Sequence, residues 1–328
     1  MPQFTPTHTV KALAALLTSS VALTALAPAT AHATPTTRSA PSASQSQSSR
    51  YCTAKGHQEL ADRLNHDIAK ALAGRKSTVS FTVWDKESGL SCAFRPNVHY
   101  DAASIVKVTI MTATLLRAQE EQRPLATWEE SSLKSMITQS DNQAATDLYT
   151  SLGAPFIQYT LRRSGMNDTT LDPEGNWGLT QVTAHDEMRQ LDVYTVNGAV
   201  LSPQNKAYGL RLMSEVEPSQ RWGTPFGAPP GVKVHVKNGW LQRVTRGWRV
   251  HSLGIFTEPG DLYQMAVLTD EDPTMSYGIG TIQRIAWHVN RDLAEFRDDP
   301  ATAVPPYEPD YQGSEIGDGT ADPRYRVS

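Results

Sequence analysis

The spacing of apolar and polar positions near the start of the chain predicts a helix followed by a hairpin. Apolar residues at helical spacing over 57–72 predict the helix. Apolar and polar residues alternate over 77–85, which is typical of a strand with one buried face. A polar turn at 86–89 and a second alternating run at 90–94 complete the hairpin.

The middle of the chain has helical spacing, and its last third returns to strands. Helices are predicted from Ser104 onward and at 133–138, 143–152, 155–164, 183–194 and 203–215. Three strands are then predicted at 232–236, 248–256 and 262–269, followed by a helix at 280–293. This order predicts an α+β fold, in which terminal helices cover an antiparallel sheet and an all-helical subdomain is inserted between its strands.

The first residues have the pattern of a secretory signal peptide. An apolar run follows Lys11 and leads to Ala31-His32-Ala33, a small-x-small cleavage site that predicts residues 1–33 to be removed on export. The run is short and rich in Ala and Thr for a stable membrane span, although an uncleaved anchor is the alternative. The sequence therefore predicts a secreted, extracellular protein.

Composition separates one folded domain from two irregular segments. Residues 34–50 are rich in Ser, Thr, Pro and Gln and predict a disordered linker. Residues 297–328 form an acidic, Pro/Gly-rich tail that is also predicted to be disordered. A single domain is left at 51–296, with the helical insert at about 104–220.

Charge and cysteine content narrow the possible partners. The net charge of -4 gives no reason to expect a nucleic-acid partner, and the Cys and His spacing is not that of a metal site. Cys52 and Cys92 are the two cysteines of the chain, and an oxidising compartment favours a disulfide between them over two buried thiols.

The stretch from Asp101 to Lys107 combines a helix start with two side chains capable of catalysis. Asp101 is predicted to cap the helix, which places Ser104 in the first turn and Lys107 on the same face. A serine hydroxyl becomes a strong nucleophile when a nearby base takes its proton, and a lysine that is neutral for part of the time can be that base. A capped helix with a solvated amine is the alternative, because Ser-x-x-Lys occurs by chance.

Two further motifs could complete a cleft with this pair. Ser140-Asp141-Asn142 lies between helical segments, where Ser140 would relay a proton to a leaving group. Asn142 would hold a substrate carbonyl and the Lys107 side chain. These roles require the turn at 140–142 to pack against the start of the Ser104 helix.

The second of these motifs, Lys237-Asn238-Gly239-Trp240, follows a Val-x-Val-x-Val strand. Lys237 would anchor a substrate carboxylate, and its charge would lower the pKa of the catalytic lysine. Gly239 would let a substrate backbone lie against the strand. The N–H group of Trp240, together with that of Ser104, would form an oxyanion hole.

Together these motifs resemble the signature of class A β-lactamases and penicillin-binding proteins. The resemblance runs from about residue 51 to 296. It implies an acyl-serine mechanism, in which Ser104 attacks a β-lactam or D-alanyl amide and water then releases the acyl group. Asn238 stands where the family usually has a hydroxyl residue, but it could still donate to a carboxylate.

The base for the second half-reaction, in which water releases the acyl group, has a weaker sequence motif. The family carries Glu-x-x-Leu-Asn in a loop after Ser-Asp-Asn, whereas this chain has a partial counterpart at 171–178. Glu174 is the first candidate and Asp172 the second, and a solvated loop acid is the alternative for Glu174. Without a positioned base the acyl-enzyme would persist, unless Lys107 serves both half-reactions.

The sequence thus predicts a secreted, monomeric serine hydrolase that acts on a small molecule, either a β-lactam or a D-alanyl peptide. No cofactor, metal, nucleic acid or stable membrane span is expected. One alternative is a D-alanyl-D-alanine peptidase or penicillin-binding enzyme, or a related esterase on the same scaffold. Another is a non-catalytic binding protein that retains the cleft.

Overall fold

The structure is a computed structural model and describes residues 50–196 and 200–297. The predicted signal peptide lies outside the described residues, as do the predicted linker up to residue 49 and the predicted tail from residue 298. Within the described ranges, no helix has the length and apolar character needed to cross a membrane.

An antiparallel sheet runs through the described part of the chain. Its strands are β1 (Cys52–Ala54), β2 (Thr78–Asp85), β3 (Leu90–Phe94), β6 (Lys233–Gln242), β7 (Trp248–Glu258) and β8 (Asp261–Asp272). They lie in the order β1-β3-β2-β8-β7-β6, which makes β6 an edge strand. A small second sheet pairs β4 (Tyr100–Asp101) with β5 (Gln181–Val182).

Helices fill both sides of the six-stranded sheet. They are α1 (Gln58–Leu72), α2 (Val106–Glu120), α3 (Thr127–Thr138), α4 (Asn142–Ser164), α5 (Ala184–Thr195), α6 (Pro203–Ser214) and α7 (Met275–Phe296). α4 contains a break at Gly153, whose φ of 72° lies in the left-handed region, two residues before Pro155. This break explains why the sequence predicts two helices there.

Alternation along the strands assigns each face of the sheet to one set of helices. Phe81 and Val267 belong to a core that also contains the apolar residues of α1 and α7. Thr82 faces the other way and donates to the backbone carbonyl of Ala184 on α5, 2.9 Å away. Because successive side chains of a strand point to opposite faces, the two helix layers cover the two faces of one sheet. The predicted α+β class is confirmed.

Helix α2 is the central helix of the insert and is buried almost all round. Every residue from Val106 to Leu116 is buried, which is typical of a helix enclosed by others rather than lying on a surface. Its few polar groups are satisfied internally, since Thr109 donates to Gln190 and Thr112 bonds to Tyr194 across the contact with α5. The start of α2 is therefore held rigidly.

Two local predictions need correction and one is confirmed. Asp101 does not cap α2: a short 3-10 turn at Ala103–Ile105 precedes the helix, and the N-cap of α2 is Ile105, without a side-chain cap hydrogen bond. The strand predicted at 232–236 continues to Gln242, so the motif at 237–240 lies within it. Cys52 and Cys92 form the predicted disulfide between paired positions of β1 and β3.

Glu187 on α5 is a buried carboxyl group with an unusual environment. Its side chain is fully buried, and neither carboxyl oxygen has a hydrogen-bond partner among the described residues. Burial, with a smaller contribution from the charge of Asp186, raises the pKa of Glu187 to about 8. The folded protein therefore holds this proton at neutral pH, whereas the unfolded chain does not.

Replacing Glu187 with Gln should flatten the dependence of stability on pH. A carboxyl group whose pKa rises from 4.5 to about 8 on folding contributes stability that is complete below pH 4.5 and is lost as pH rises toward 8. Urea unfolding at several pH values within this interval measures the effect, with the exposed Glu130→Gln as control. Equal pH slopes for Glu187→Gln and the wild type would contradict the assignment.

Candidate active site

Ser104 lies in a strained turn directly before α2. Ala103 has a φ of 47°, in the left-handed region that non-glycine residues rarely adopt. Such a conformation costs about 1–3 kcal/mol and persists only where the surroundings impose it. Here the N–H of Ala102 donates to the carbonyl of Thr180 at 2.8 Å, which anchors the turn. The strained residue thus lies directly before Ser104, in a turn that is tied to the loop ending at Gln181.

The Lys107 side chain is fully buried beside Ser104. Its Nζ lies 2.8 Å from Ser104 Oγ and 2.6 Å from Asn142 Oδ1. It also lies 2.7 Å from the backbone oxygen and 3.1 Å from the hydroxyl of Ser140. The pair predicted from Ser-x-x-Lys is therefore in direct contact, within reach for proton transfer.

A second buried lysine completes a continuous chain of polar groups. Lys237 Nζ lies 3.1 Å from Ser140 Oγ, so this hydroxyl bridges the two amines. Ser140 itself has a φ of 60°, and Asp141 caps α4 by accepting from Gln143 and Ala144. The three predicted motifs thus meet at one place, and the turn that presents Ser140 is fixed by the helix that follows it.

Gly239 allows β6 to lie directly against the turn that carries Ser104. A Cβ at this position would lie 2.7 Å from the backbone nitrogen of Ser104 and 2.8 Å from that of Ile105. Real Cβ atoms do not approach backbone so closely, so a residue other than glycine would push the strand away. The predicted role of Gly239 changes accordingly, because it makes room for the protein's own backbone at the nucleophile.

Asn238 and Trp240 face away from the two lysines. The Nδ2 group of Asn238 donates to the carbonyls of Gln220 and Trp222, at 2.8 and 2.9 Å. Both of its amide hydrogens are thereby used, so the predicted donation to a substrate carboxylate is wrong. The Trp240 ring packs on the Trp222 ring, with centroids 5.8 Å apart. On a strand the side chains of 238 and 240 point opposite to those of 237 and 239.

The loop from Thr170 to Gln181 lies against Lys107. Thr170 and Gln181 exchange backbone hydrogen bonds that close the base of the loop. Trp177 is buried, and its ring centroid lies 5.0 Å from Lys107 Nζ. Its indole N–H donates to Thr146 Oγ1 at 3.1 Å, which fixes the ring on α4. The loop therefore forms one wall of the site.

Glu174 lies on the exposed part of the same loop, three residues before Trp177. The carboxylate of Asp172 accepts from the backbone N–H groups of Glu174 and Asn176, at 3.2 and 3.0 Å. Asp172, the second candidate for a base, is thus used to shape the turn. Glu174 is left as the candidate base on this loop.

Some groups that matter to the site were not predicted from the sequence. Asp101 accepts from Arg243 and Gln181, and the ring of His251 bonds to its backbone oxygen. No local motif marks these contacts, because their members lie far apart in sequence and meet only through strand pairing. The cover of Lys107 by Trp177 likewise depends on how the loop packs on α4.

One cluster outside the site could hold a cation on distance alone. Asp168, His185 and Asp186 offer ligand atoms that all lie within 4.8 Å of one another. The Asp186 carboxylate, however, already accepts from the N–H of Asp168 and the hydroxyl of Thr169. The cluster also lies at the start of α5, where the positive end of the helix opposes a cation. We assign no metal to it.

The sheet, the helical insert and the Ser104–Lys107 pair define the serine β-lactamase-like class of hydrolases. The model of the β-lactamase enzyme family matches residues 129–293, half of the 328-residue chain. The chain belongs to this family. A comparison with curated protein sequences found no match.

Several solved structures share the fold of this chain. A class A β-lactamase from Bacteroides cellulosilyticus is 17% identical with a TM-score of 0.63, covering 71% of this chain and 98% of that one. A β-lactamase from Xanthomonas campestris is 18% identical with a TM-score of 0.61, covering 71% and 98%. A mutant of PBP-A, in an acyl-enzyme complex with penicillin G, is 19% identical with a TM-score of 0.60, covering 72% and 97%.

Substituting Gly239 with Ala should disable the site. The added Cβ would meet the backbone of Ser104, and a displacement of about 1 Å at a reacting group can lower a rate about 100-fold. The acylation rate with a penicillin and the free energy of unfolding measure the two consequences. Gly280→Ala on α7 is the control, because the nearest atom to its added Cβ is 3.8 Å away. Wild-type acylation by Gly239→Ala would refute the close approach.

Proposed function

We propose that this protein is a secreted β-lactamase that opens β-lactam amides through an acyl intermediate on Ser104. The observation that carries the proposal is the chain of contacts from Ser104 Oγ through Lys107 Nζ and Ser140 Oγ to Lys237 Nζ. In this proposal Ser104 is the nucleophile, Lys107 the base, Ser140 the proton relay and Lys237 the cation that attracts the substrate. Membership of the β-lactamase enzyme family supports the substrate class.

Acylation begins when Ser104 Oγ attacks the amide carbonyl carbon of the lactam. Its proton passes to Lys107 Nζ, which lies 2.8 Å away. The base must be a neutral amine at that moment, a form that burial and a neighbouring ammonium favour for any lysine. The carbonyl oxygen becomes an oxyanion and accepts from the backbone N–H groups of Ser104 and Trp240.

Collapse of this intermediate breaks the amide C–N bond and leaves an ester on Ser104. The departing nitrogen takes its proton from Ser140 Oγ, which is replenished by the Lys107 ammonium at 3.1 Å. Lys237, on the other side of the same hydroxyl, provides the positive charge that attracts the substrate carboxylate. One hydroxyl thus connects leaving-group protonation with recognition of the anionic group.

Deacylation requires a water molecule that attacks the ester carbonyl and a base that takes a proton from this water. Glu174 is the proposed base, since it lies on the loop whose Trp177 packs against Lys107. Its carboxylate would take one proton from the water as the hydroxide adds to the ester carbonyl. Ser104 Oγ leaves as its bond to the carbonyl carbon breaks and takes up the proton that Glu174 gained from the water, which restores a neutral Lys107 amine and an ionised Glu174.

A D-alanyl peptidase or penicillin-binding enzyme is the second candidate function. The observation that favours it is the exposed position of Glu174 on a turn shaped by Asp172. A base on an exposed turn is held less firmly than one within a packed site, so the ester would persist longer. The two candidates share acylation and differ in the lifetime of the acyl-enzyme.

Export rests on the sequence pattern of residues 1–33. A signal peptide with a cleavage site after Ala33 would deliver the enzyme to the oxidising exterior. The Cys52–Cys92 disulfide is consistent with that compartment.

Incubation with a fluorescent penicillin, followed by intact-mass measurement, tests the proposal. The wild type and the control Ser131→Ala, an exposed serine on α3, should gain the mass of one penicillin, whereas Ser104→Ala should gain none. The reason is that the proposed ester forms on the Ser104 hydroxyl, which the Lys107 amine contacts. An adduct on Ser104→Ala, or a wild type that neither gains an adduct nor opens the penicillin, would contradict the proposed mechanism.

The decay of the same adduct separates the two candidate functions. A lifetime of seconds or less indicates a β-lactamase, and a lifetime of hours indicates a penicillin-binding enzyme. If Glu174 is the base, Glu174→Gln should prolong the adduct by about 100-fold or more, in line with the usual contribution of a general base. Glu130→Gln on α3 is the matched control, and equal lifetimes would remove Glu174 from the mechanism.

A further inference from the structure

The Asp101 carboxylate connects three segments that carry the proposed catalytic groups. Asp101 precedes Ser104 by three residues and lies at the end of β4. Its Oδ1 accepts from Gln181 Nε2 at 2.7 Å. Its Oδ2 accepts from Arg243 Nη1 at 2.8 Å and lies 3.2 Å from Arg249 Nε. Side chains from the loop and from the β6–β7 hairpin therefore converge on one anion.

The contact with Gln181 reaches the base of the loop that carries Glu174. Asp101 and Gln181 are paired positions of β4 and β5. Gln181 also exchanges backbone hydrogen bonds with Thr170, at 2.9 and 3.0 Å, where the loop begins. The side-chain bond thus adds to a backbone pairing and ties the proposed deacylation loop to the strand that leads into Ser104.

The contacts with the two arginines reach the strand that carries the second oxyanion donor. Arg243 follows Trp240 by three residues and closes the hairpin through its N–H bond to Gly247. Arg249 is 8% exposed and also donates to the carbonyls of Thr245 and Gly247 within the hairpin. Charge-assisted hydrogen bonds in such partly buried places are stronger than those between neutral groups.

The backbone of Asp101 is held to the same sheet by His251. This residue is paired with Gly239 across β6 and β7, and its Nε2 donates to the Asp101 oxygen at 2.9 Å. Burial lowers the pKa of His251 to about 4, so the ring is neutral and has one N–H to give. Its Nδ1 accepts from the N–H of Thr269. The ring therefore acts as a fixed spacer between β7 and the nucleophile turn.

We propose that Asp101 is a positioning residue that sets the separation of the two oxyanion donors, the N–H groups of Ser104 and Trp240. The proposal rests on the proposed function. Ser104 follows Asp101 by three residues, and Trp240 precedes Arg243 by three residues; Asp101 and Arg243 are bonded to each other. The two segments are already in close contact at Gly239, where an added Cβ would meet the backbone of Ser104. Donors must lie about 2.7–3.1 Å from the oxyanion, so a small change in their separation weakens catalysis.

Asp101→Asn tests the proposal without changing side-chain size. An asparagine has one oxygen in place of two, and its NH₂ group would face a donor of Gln181 or Arg243. Amide hydrogen exchange, measured by mass spectrometry, should become about tenfold faster in peptides spanning 100–106 and 238–244 together. Asp62→Asn on α1 is the control, and it should leave both peptides unchanged. Unchanged exchange in Asp101→Asn would overturn the proposal.

A phenylboronic acid gives the readout at the oxyanion hole itself. Ser104 Oγ adds to the trigonal boron as its proton passes to Lys107, and one oxygen of the anionic, tetrahedral boronate takes the oxyanion position. In Asp101→Asn the dissociation constant of this adduct should rise about 10- to 100-fold, in step with the loss in acylation rate. Wild-type affinity in a variant whose exchange has changed would overturn the positioning role.

Arg243→Gln and Arg243→Lys test the same ion pair by changing Arg243 in place of Asp101. Arg243→Gln should reproduce the effects of Asp101→Asn, and Arg243→Lys, which keeps the charge, should restore part of the boronate affinity. Equal boronate affinity for the wild type, Arg243→Gln and Arg243→Lys would overturn the proposal.

A wild type that binds neither penicillin nor the boronic acid would instead overturn the proposed function. Hydrogen exchange would still decide whether Asp101 couples the two segments.

Discussion

The burial of the Lys107 amine among oxygen atoms is the interaction on which the site depends. An amine removed from water must be surrounded by acceptors, since an unsatisfied buried cation is strongly unfavourable. Here the acceptors come from two segments, the turn that carries Ser104 and the turn at Ser140 and Asn142. The same contacts that make burial tolerable also bring the hydroxyl groups of Ser104 and Ser140 to the amine, as the proposed mechanism requires.

The fold meets this requirement with buried elements. Every residue of α2 from Val106 to Leu116 is buried, and Lys107 is one of them. β6 is held in register with β7, and it places Lys237 against Ser140 from the opposite side. The left-handed residues Ala103 and Ser140 lie next to these contacts, where packing on both sides imposes their conformation. Two of the six described non-glycine residues with positive φ therefore lie where Ser104 and Ser140 are presented.

The sequence alone was sufficient to predict the features that depend on local residue patterns. Periodicity placed the sheet and the helices, and three short motifs placed Ser104, Lys107, Ser140 and Lys237 in one cleft, which the structure brings together. Asp101 was misassigned because cap preference is a local rule, whereas its partners Gln181 and Arg243 are 80 and 142 positions away. Asn238 was misassigned because the motif was interpreted as one surface, although alternate residues of a strand face opposite sides.

The two candidate functions, a β-lactamase and a penicillin-binding enzyme, share one proposed step. In that step a buried base removes the proton of the serine nucleophile. The second-order rate constant for acylation by a penicillin, compared between the wild type and Lys107→Gln, tests this directly. A glutamine can still donate to Ser104 but cannot accept its proton. We predict a loss of about 100-fold or more with the fold retained, in line with the contribution of a general base. Acylation at the wild-type rate would contradict the account.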